Sequence, residues 1–81
     1  MNYNNIDFSI PKNIELYVLA NRYLYYVLAT PILPDSVYDM YEIKAREICP
    51  PESDVHKIGS SLPSSYSDEV KSYAQILYSG K

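Results

Sequence analysis

Chemistry in this sequence concentrates in five residues. Asp35, Tyr38 and Asp39 are spaced i, i+3 and i+4, so a helix brings all three to one side. Tyr25 and Tyr26 precede them across a short stretch that holds two prolines, Pro31 and Pro34. A turn in that stretch folds all five around one pocket. Two carboxylates attract positive charge, and a tyrosine face adds stacking and a cation–π contact of roughly 0.5–2 kcal/mol. Such a set suits a flat organic cation, and the pyridinium of an oxidised nicotinamide is one. The same residues also read without a ligand: Asp35 as an N-cap, Asp39 as a solvated carboxylate, the tyrosines as packing. Residue types and spacing leave both readings open.

Little else offers chemistry. His56, the one histidine, falls in a loop with no nucleophile or carboxylate partner evident and reads as a surface residue. Cys49 has no helix N-terminus or local base to lower its pKa, so it reads as inert. Being the one cysteine, it excludes an internal disulfide and a paired-cysteine metal or redox site, and it suits a reduced, intracellular protein. Lys57, beside Gly59, is the one basic residue placed near a candidate loop, and it also reads as a solvated lysine. The sequence contains no Gly-rich phosphate loop, no HExxH, no GxSxG and no cluster of metal ligands. A non-catalytic protein that needs no cofactor is expected.

The elements that must position the five residues follow from punctuation and periodicity. Residues Met1 to Ser9 are polar and irregular, and read with Ile10 as a flexible arm over 1–10. Pro11 suits the first position of a helix, where its missing N–H costs nothing, and no Pro or Gly interrupts from there to Ala29. The first helix is therefore expected over Pro11–Ala29. Its apolar residues run most of the way round, which calls for cover on more than one side, and that points to a partner or a ligand. Thr30 to Pro34 is a connector, and Asp35 opens a second helix to about Ile48. Val37, Tyr41, Ala45 and Ile48 form its core stripe, with Glu42, Lys44, Arg46 and Glu47 as the solvated face. Pro50 and Pro51 stop it, and a loop crosses Gly59. Ser67 is the expected N-cap of a third helix, with Asp68 and Glu69 in its first turn and Gly80 at its C-terminal cap. No strand pattern or internal repeat is visible. The fold class is all-α: a hairpin of two long helices plus a third, C-terminal helix, in one helical domain over 11–81.

Size and charge bound the function. A chain of 81 residues buries only roughly 60% of the surface it exposes unfolded, so a homo-oligomer would be a natural supplement. The formal net charge of −3 argues against a primary nucleic-acid binder, which needs a basic stripe. No apolar run is long enough to span a membrane, and the N-terminus lacks the layout of a signal peptide. A cytoplasmic location is expected. There are ten tyrosines against one Phe and no Trp, and half of them fall between Tyr23 and Tyr41, where the candidate pocket lies.

The stretch from Tyr25 to Asp39 (YYVLATPILPDSVYD) resembles domain Ia, the N-terminal nicotinamide-mononucleotide-recognition module of bacterial NAD-dependent DNA ligases. The family pattern is a paired Tyr-Tyr or Tyr-His, then Val, a Pro-containing linker, and P/S-D-x-x-Y-D opening the next helix. The run Glu52 to Gly59 is similar to that family's D-S-P-T-x-R-V-G segment, so the likeness spans about Pro11 to Gly59. It implies that Tyr25 stacks on the nicotinamide ring and that Tyr26 flanks the nucleotide. Asp35, Tyr38 and Asp39 would contact the nicotinamide and its ribose. The departures are Ala29 where the family usually has Asp, Val37 where Glu is common, and Asp54 in place of a Pro. Past Gly59 the family enters a strand of its adenylation domain, whereas Tyr66 to Ser79 here reads as a helix. No K-x-D-G motif is present, so these residues cannot form an enzyme–AMP adduct.

The resemblance therefore implies a binding module for NAD, nicotinamide mononucleotide (NMN) or a related ADP-ribose-type nucleotide. One use would be sequestering an NAD-derived signal, as a phage anti-defence protein would in its host's cytoplasm. The alternatives are a trans-acting subunit of a split ligase, partnered by a separate adenylation domain, and a protein-interaction inhibitor of a ligase.

Overall fold

The computed structural model describes residues 7–57 and 61–80. Its α-helices are α1 (Pro11–Arg22), α2 (Asp35–Ile48) and α3 (Asp68–Ser79), and no strand occurs among the described residues. The all-α expectation holds.

Each helix begins for a local reason. Pro11 occupies the first turn of α1 with its φ already set, and Ile10, the N-cap, contributes no side-chain bond. The preceding turn supplies order instead: Asp7 accepts from the Ser9 backbone N–H at 2.9 Å, and Asn13 Nδ2 donates to the Asp7 carbonyl at 3.1 Å. The Phe8 ring then lies 4.9 Å from Tyr17 and 5.4 Å from Tyr41. Asp7 to Ile10 are thus held as a turn against α1, and the rest of the expected arm lies outside the described residues. Helix α2 starts behind Pro34, whose carbonyl accepts from the N–H groups of Val37 and Tyr38, both at 3.0 Å. It stops where Cys49, ahead of Pro50, takes an extended conformation (φ −82°, ψ 145°). Ser67 caps α3 as expected, its Oγ accepting from the Val70 N–H at 3.2 Å. Gly80 ends α3 with a right-handed φ of −92°, so the left-handed freedom of glycine is not used there.

The end of α1 departs from the expected single α-helix to Ala29. From Tyr23 to Val27 the backbone widens into a π-helical turn, with Leu28 N–H donating to the Tyr23 carbonyl at 3.2 Å. Thr30 N–H then closes back on the Leu24 carbonyl at 2.8 Å, and Ala29 between them adopts φ 54°, the left-handed region. The widened turn buries Leu24 completely while leaving Tyr25 and Tyr26 half in solvent.

One core joins the three helices. Ile14, Val18 and Leu24 are fully buried on the α1 side, with Ala45 of α2, Val55 of the following loop and Ala74 of α3. The loop after α2 is not featureless, since Asp54–His56 and Pro63–Ser65 form 3-10 turns. Gly59, which the sequence set within this loop, lies outside the described residues. Of the apolar residues between Pro11 and Ala29, Ile14, Val18, Leu19 and Leu24 are covered within the chain, whereas Tyr25, Tyr26 and Leu28 stay exposed. Both α2 and α3 pack on α1 with the Asp54–His56 turn, and even Asn21 and Arg22 are buried. No described helix is long and apolar enough to cross a membrane.

Candidate functional site

The end of α1 and the start of α2 enclose a cleft of about 220 Å³. Tyr25, Tyr26, Asp35, Tyr38 and Asp39 all line it, so the five residues singled out from the sequence meet at one place. Pro31 and Leu33 of the connector close one side, and Asn21 and Arg22 of α1 lie beneath. The hairpin geometry produces this directly. The π turn presents Tyr25 and Tyr26 side by side, and the first two turns of α2 present Asp35, Tyr38 and Asp39 opposite them.

The two aromatic residues of the rim face each other at 5.0 Å with ring planes 80° apart, an edge-to-face pair. Tyr25 is 51% exposed and Tyr26 45%, so both side chains are accessible from solvent. Asp35 and Asp39 are exposed, and neither joins an ion pair among the described residues. Asp35 also sits in the first turn of α2, where a carboxylate complements the helix dipole.

The floor is built differently. Arg22 is only 3% exposed. Its Nε donates to the Tyr38 hydroxyl at 3.0 Å, and one terminal nitrogen donates to Glu42 Oε1 at 2.6 Å. The remaining bonds go to the carbonyls of Val55 (2.7 Å) and Asp54 (3.1 Å). The Tyr38 hydroxyl lies 3.4 Å from Glu42 Oε1 and donates to it. Burial pushes the Tyr38 phenol up to about 12, against the opposing pull of Arg22, so it stays a neutral hydrogen-bonding group at ordinary pH. For Glu42, burial works to raise the carboxyl, but the hydrogen bond and charge of Arg22, helped by Arg46, outweigh it and hold the group below its ordinary value. Glu42 therefore does not belong to the solvated face of α2, where the sequence placed it. It is the counter-ion of a buried arginine.

No protein-family model matches the chain, and no curated protein or solved structure matches it. The cleft has to be judged on its own chemistry.

A volume of about 220 Å³ is below the roughly 300–1,000 Å³ of sites that engulf a drug-sized ligand. There is room for one ring and its substituent, with the rest of a larger molecule outside. Among the described lining residues Arg22 is the one cationic side chain, and it is committed to Glu42. Asp35 and Asp39 give the walls an acid surplus. The described lining thus carries two exposed carboxylates, and two tyrosine rings stand beside them.

The remaining candidates fall outside the cleft. His56 is exposed, its Nε2 3.3 Å from the Cys49 carbonyl, and Lys57 is exposed and paired with Asp54 at 3.0 Å. The Cys49 thiol is buried against the Pro11 carbonyl, and burial pushes its pKa up, which suits an inert residue. No group of three potential metal ligands occurs among the described residues. Arg22 and Asn21 were missed from the sequence. The available signal was a lone arginine in the apolar run of α1, placed three and four residues before Tyr25 and Tyr26. A charge buried at such a position has to find partners.

Proposed function

We propose that this protein is a non-catalytic nucleotide-binding module. Its ligand is NAD, NMN or a related ADP-ribose-type nucleotide, whose flat ring enters the cleft. The observation that carries this reading is the convergence of Tyr25, Tyr26, Asp35, Tyr38 and Asp39 on one cleft of single-ring size. A tyrosine face supplies stacking and cation–π attraction, and the two carboxylates favour the charged pyridinium over a neutral or anionic ring. Ribose and phosphates remain at the mouth, in keeping with the commitment of Arg22 to Glu42. Holding a nucleotide without turning it over fits a role in sequestering an NAD-derived signal, of the phage anti-defence kind.

The half-exposed Tyr25, Tyr26 and Leu28 favour a second reading, in which this rim is completed by a separate ligase-like adenylation domain and the chain acts in trans. Titration with NMN separates the two. Binding by the protein alone supports the first reading, and binding only after addition of such a domain supports the second. A Tyr25→Ala/Asp35→Ala variant is expected to lose the ligand while keeping its helical circular dichroism. Parent-like binding by that variant would remove the cleft from the account.

A further inference from the structure

We propose that Arg22 is a positioning residue, coupling the ligand cleft to the Asp54–His56 turn so that order in the turn and affinity in the cleft rise and fall together. Its binding arm rests on the reading of the cleft given above; its coupling arm rests on the hydrogen bonds alone.

The geometry is that of a hub. Arg22 belongs to α1, yet it donates to Tyr38 and Glu42, which lie one helical turn apart on α2, and to the consecutive carbonyls of Asp54 and Val55. One side chain thus joins α1 to α2, 16 and 20 residues away, and to the turn, 32 and 33 residues away. Through Nε it fixes the Tyr38 hydroxyl, and with it the ring that floors the cleft. Through the two carbonyls it fixes the turn, which is pinned further by Ser53 donating to Glu15 and by Val55 buried in the core. A second, larger groove of about 540 Å³ between α1 and α3 is also lined by Arg22, along with Asp54 and Lys57. Arg22 is therefore a wall common to two grooves, and a displacement of the turn pulls on the floor of the cleft.

Only a guanidinium can do this. Its planar fork holds several acceptors in fixed directions, whereas a lysine ammonium is a compact charge on a flexible stem. Arg22→Lys keeps the charge and loses the geometry. Tyr38→Phe removes only the hydroxyl that Arg22 holds, and Glu42→Gln keeps an acceptor while removing the counter-charge.

The test uses backbone and tyrosine-ring NMR on the free parent and the three variants, then titration with 1-methylnicotinamide, methylated on the ring nitrogen, as a flat pyridinium probe. Arg22→Lys is expected to lower order parameters at Val55 to Lys57 and to mobilise the Tyr38 ring, with α3 unchanged. It is also expected to weaken the probe on the order of tenfold, the effect of losing one charge-assisted hydrogen bond. In the Tyr38→Phe background the same change should cost little more, because both act through one hydroxyl. Loosening spread evenly through α3, no loosening at all, or additive losses of affinity would each overturn the proposal. If Arg22→Lys does not fold, Glu42→Gln, which removes the counter-charge holding the guanidinium, takes its place. It is expected to loosen Val55 to Lys57 and the Tyr38 ring in the same direction by a smaller amount, and no loosening there would overturn the proposal. A parent that ignores the probe contradicts the binding reading instead, and the order parameters alone then decide the coupling.

Discussion

The rim and the floor of the cleft solve the problem of charge in opposite ways. On the rim, Asp35 and Asp39 stand in solvent without a counter-ion among the described residues, beside two half-exposed tyrosine rings. Beneath it, Arg22 and Glu42 are 2.6 Å apart, and the guanidinium also donates to Tyr38 and two carbonyls. Exposed charge of one sign is available to an incoming cation. Buried, paired charge is not, and it fixes the shape of the site instead. The difference separates rim residues, whose loss should weaken binding and leave stability alone, from floor residues, whose loss should destabilise the fold and reach the ligand only through the shape of the site.

The largest effect is expected on the floor. Glu42→Ala leaves the Arg22 guanidinium buried without its counter-ion, a change that costs about 3–5 kcal/mol in comparable buried pairs. A chain of 81 residues has a total stability of about 4–12 kcal/mol, so urea unfolding should show a variant near the edge of folding. Next comes the rim: Asp39→Asn should weaken a pyridinium ligand by about 1 kcal/mol in a calorimetric titration and leave the urea midpoint within error. A rim substitution that destabilised as strongly as Glu42→Ala would erase the distinction.

Acid offers a graded version of the same contrast. The folded Glu42 carboxyl lies below its ordinary value of 4.5, so its contribution is fully present above that value and is lost as pH falls through the folded one. Stability should therefore decline below about pH 4.5. Glu42→Gln should flatten that part of the curve, which thermal melts between neutral and acid pH would show.

The smallest effect is expected where the two regions join. Ala29 holds a left-handed φ of 54°, which costs an alanine about 1 kcal/mol relative to glycine. Ala29→Gly should raise the melting temperature by a few degrees, about 4–8 °C per kcal/mol in a domain of this size.

How far the sequence could be read follows the same division. The Asp35–Tyr38–Asp39 face was legible because its spacing is local, and so were the Ser67 cap and the stop at Pro50. The paired tyrosines were legible as candidates because they border a proline connector. The floor was not, because Arg22 finds its partners 16 to 33 residues away and no local pattern encodes such distances. Glu42 looked like any solvated helix carboxylate for the same reason. The π turn at Tyr23–Val27 was also hidden, since nothing in YLYYV distinguishes it from an ordinary helix end. How much of α1 is covered within the chain was hidden because the packing of α3 and the Asp54–His56 turn is likewise a long-range fact.

The central claim is that the cleft grips a flat, cationic ring, and isothermal titration calorimetry of the purified protein against NAD, NADH, NMN and ADP-ribose tests it most directly. The account predicts binding of NAD or NMN with a dissociation constant of about a micromolar or tighter, and clearly weaker binding of NADH, whose reduced ring is neutral. Equal affinity for ADP-ribose and NAD would place recognition away from the ring. No heat from any of the four would contradict the account and leave the tyrosine rim as a surface for a protein partner.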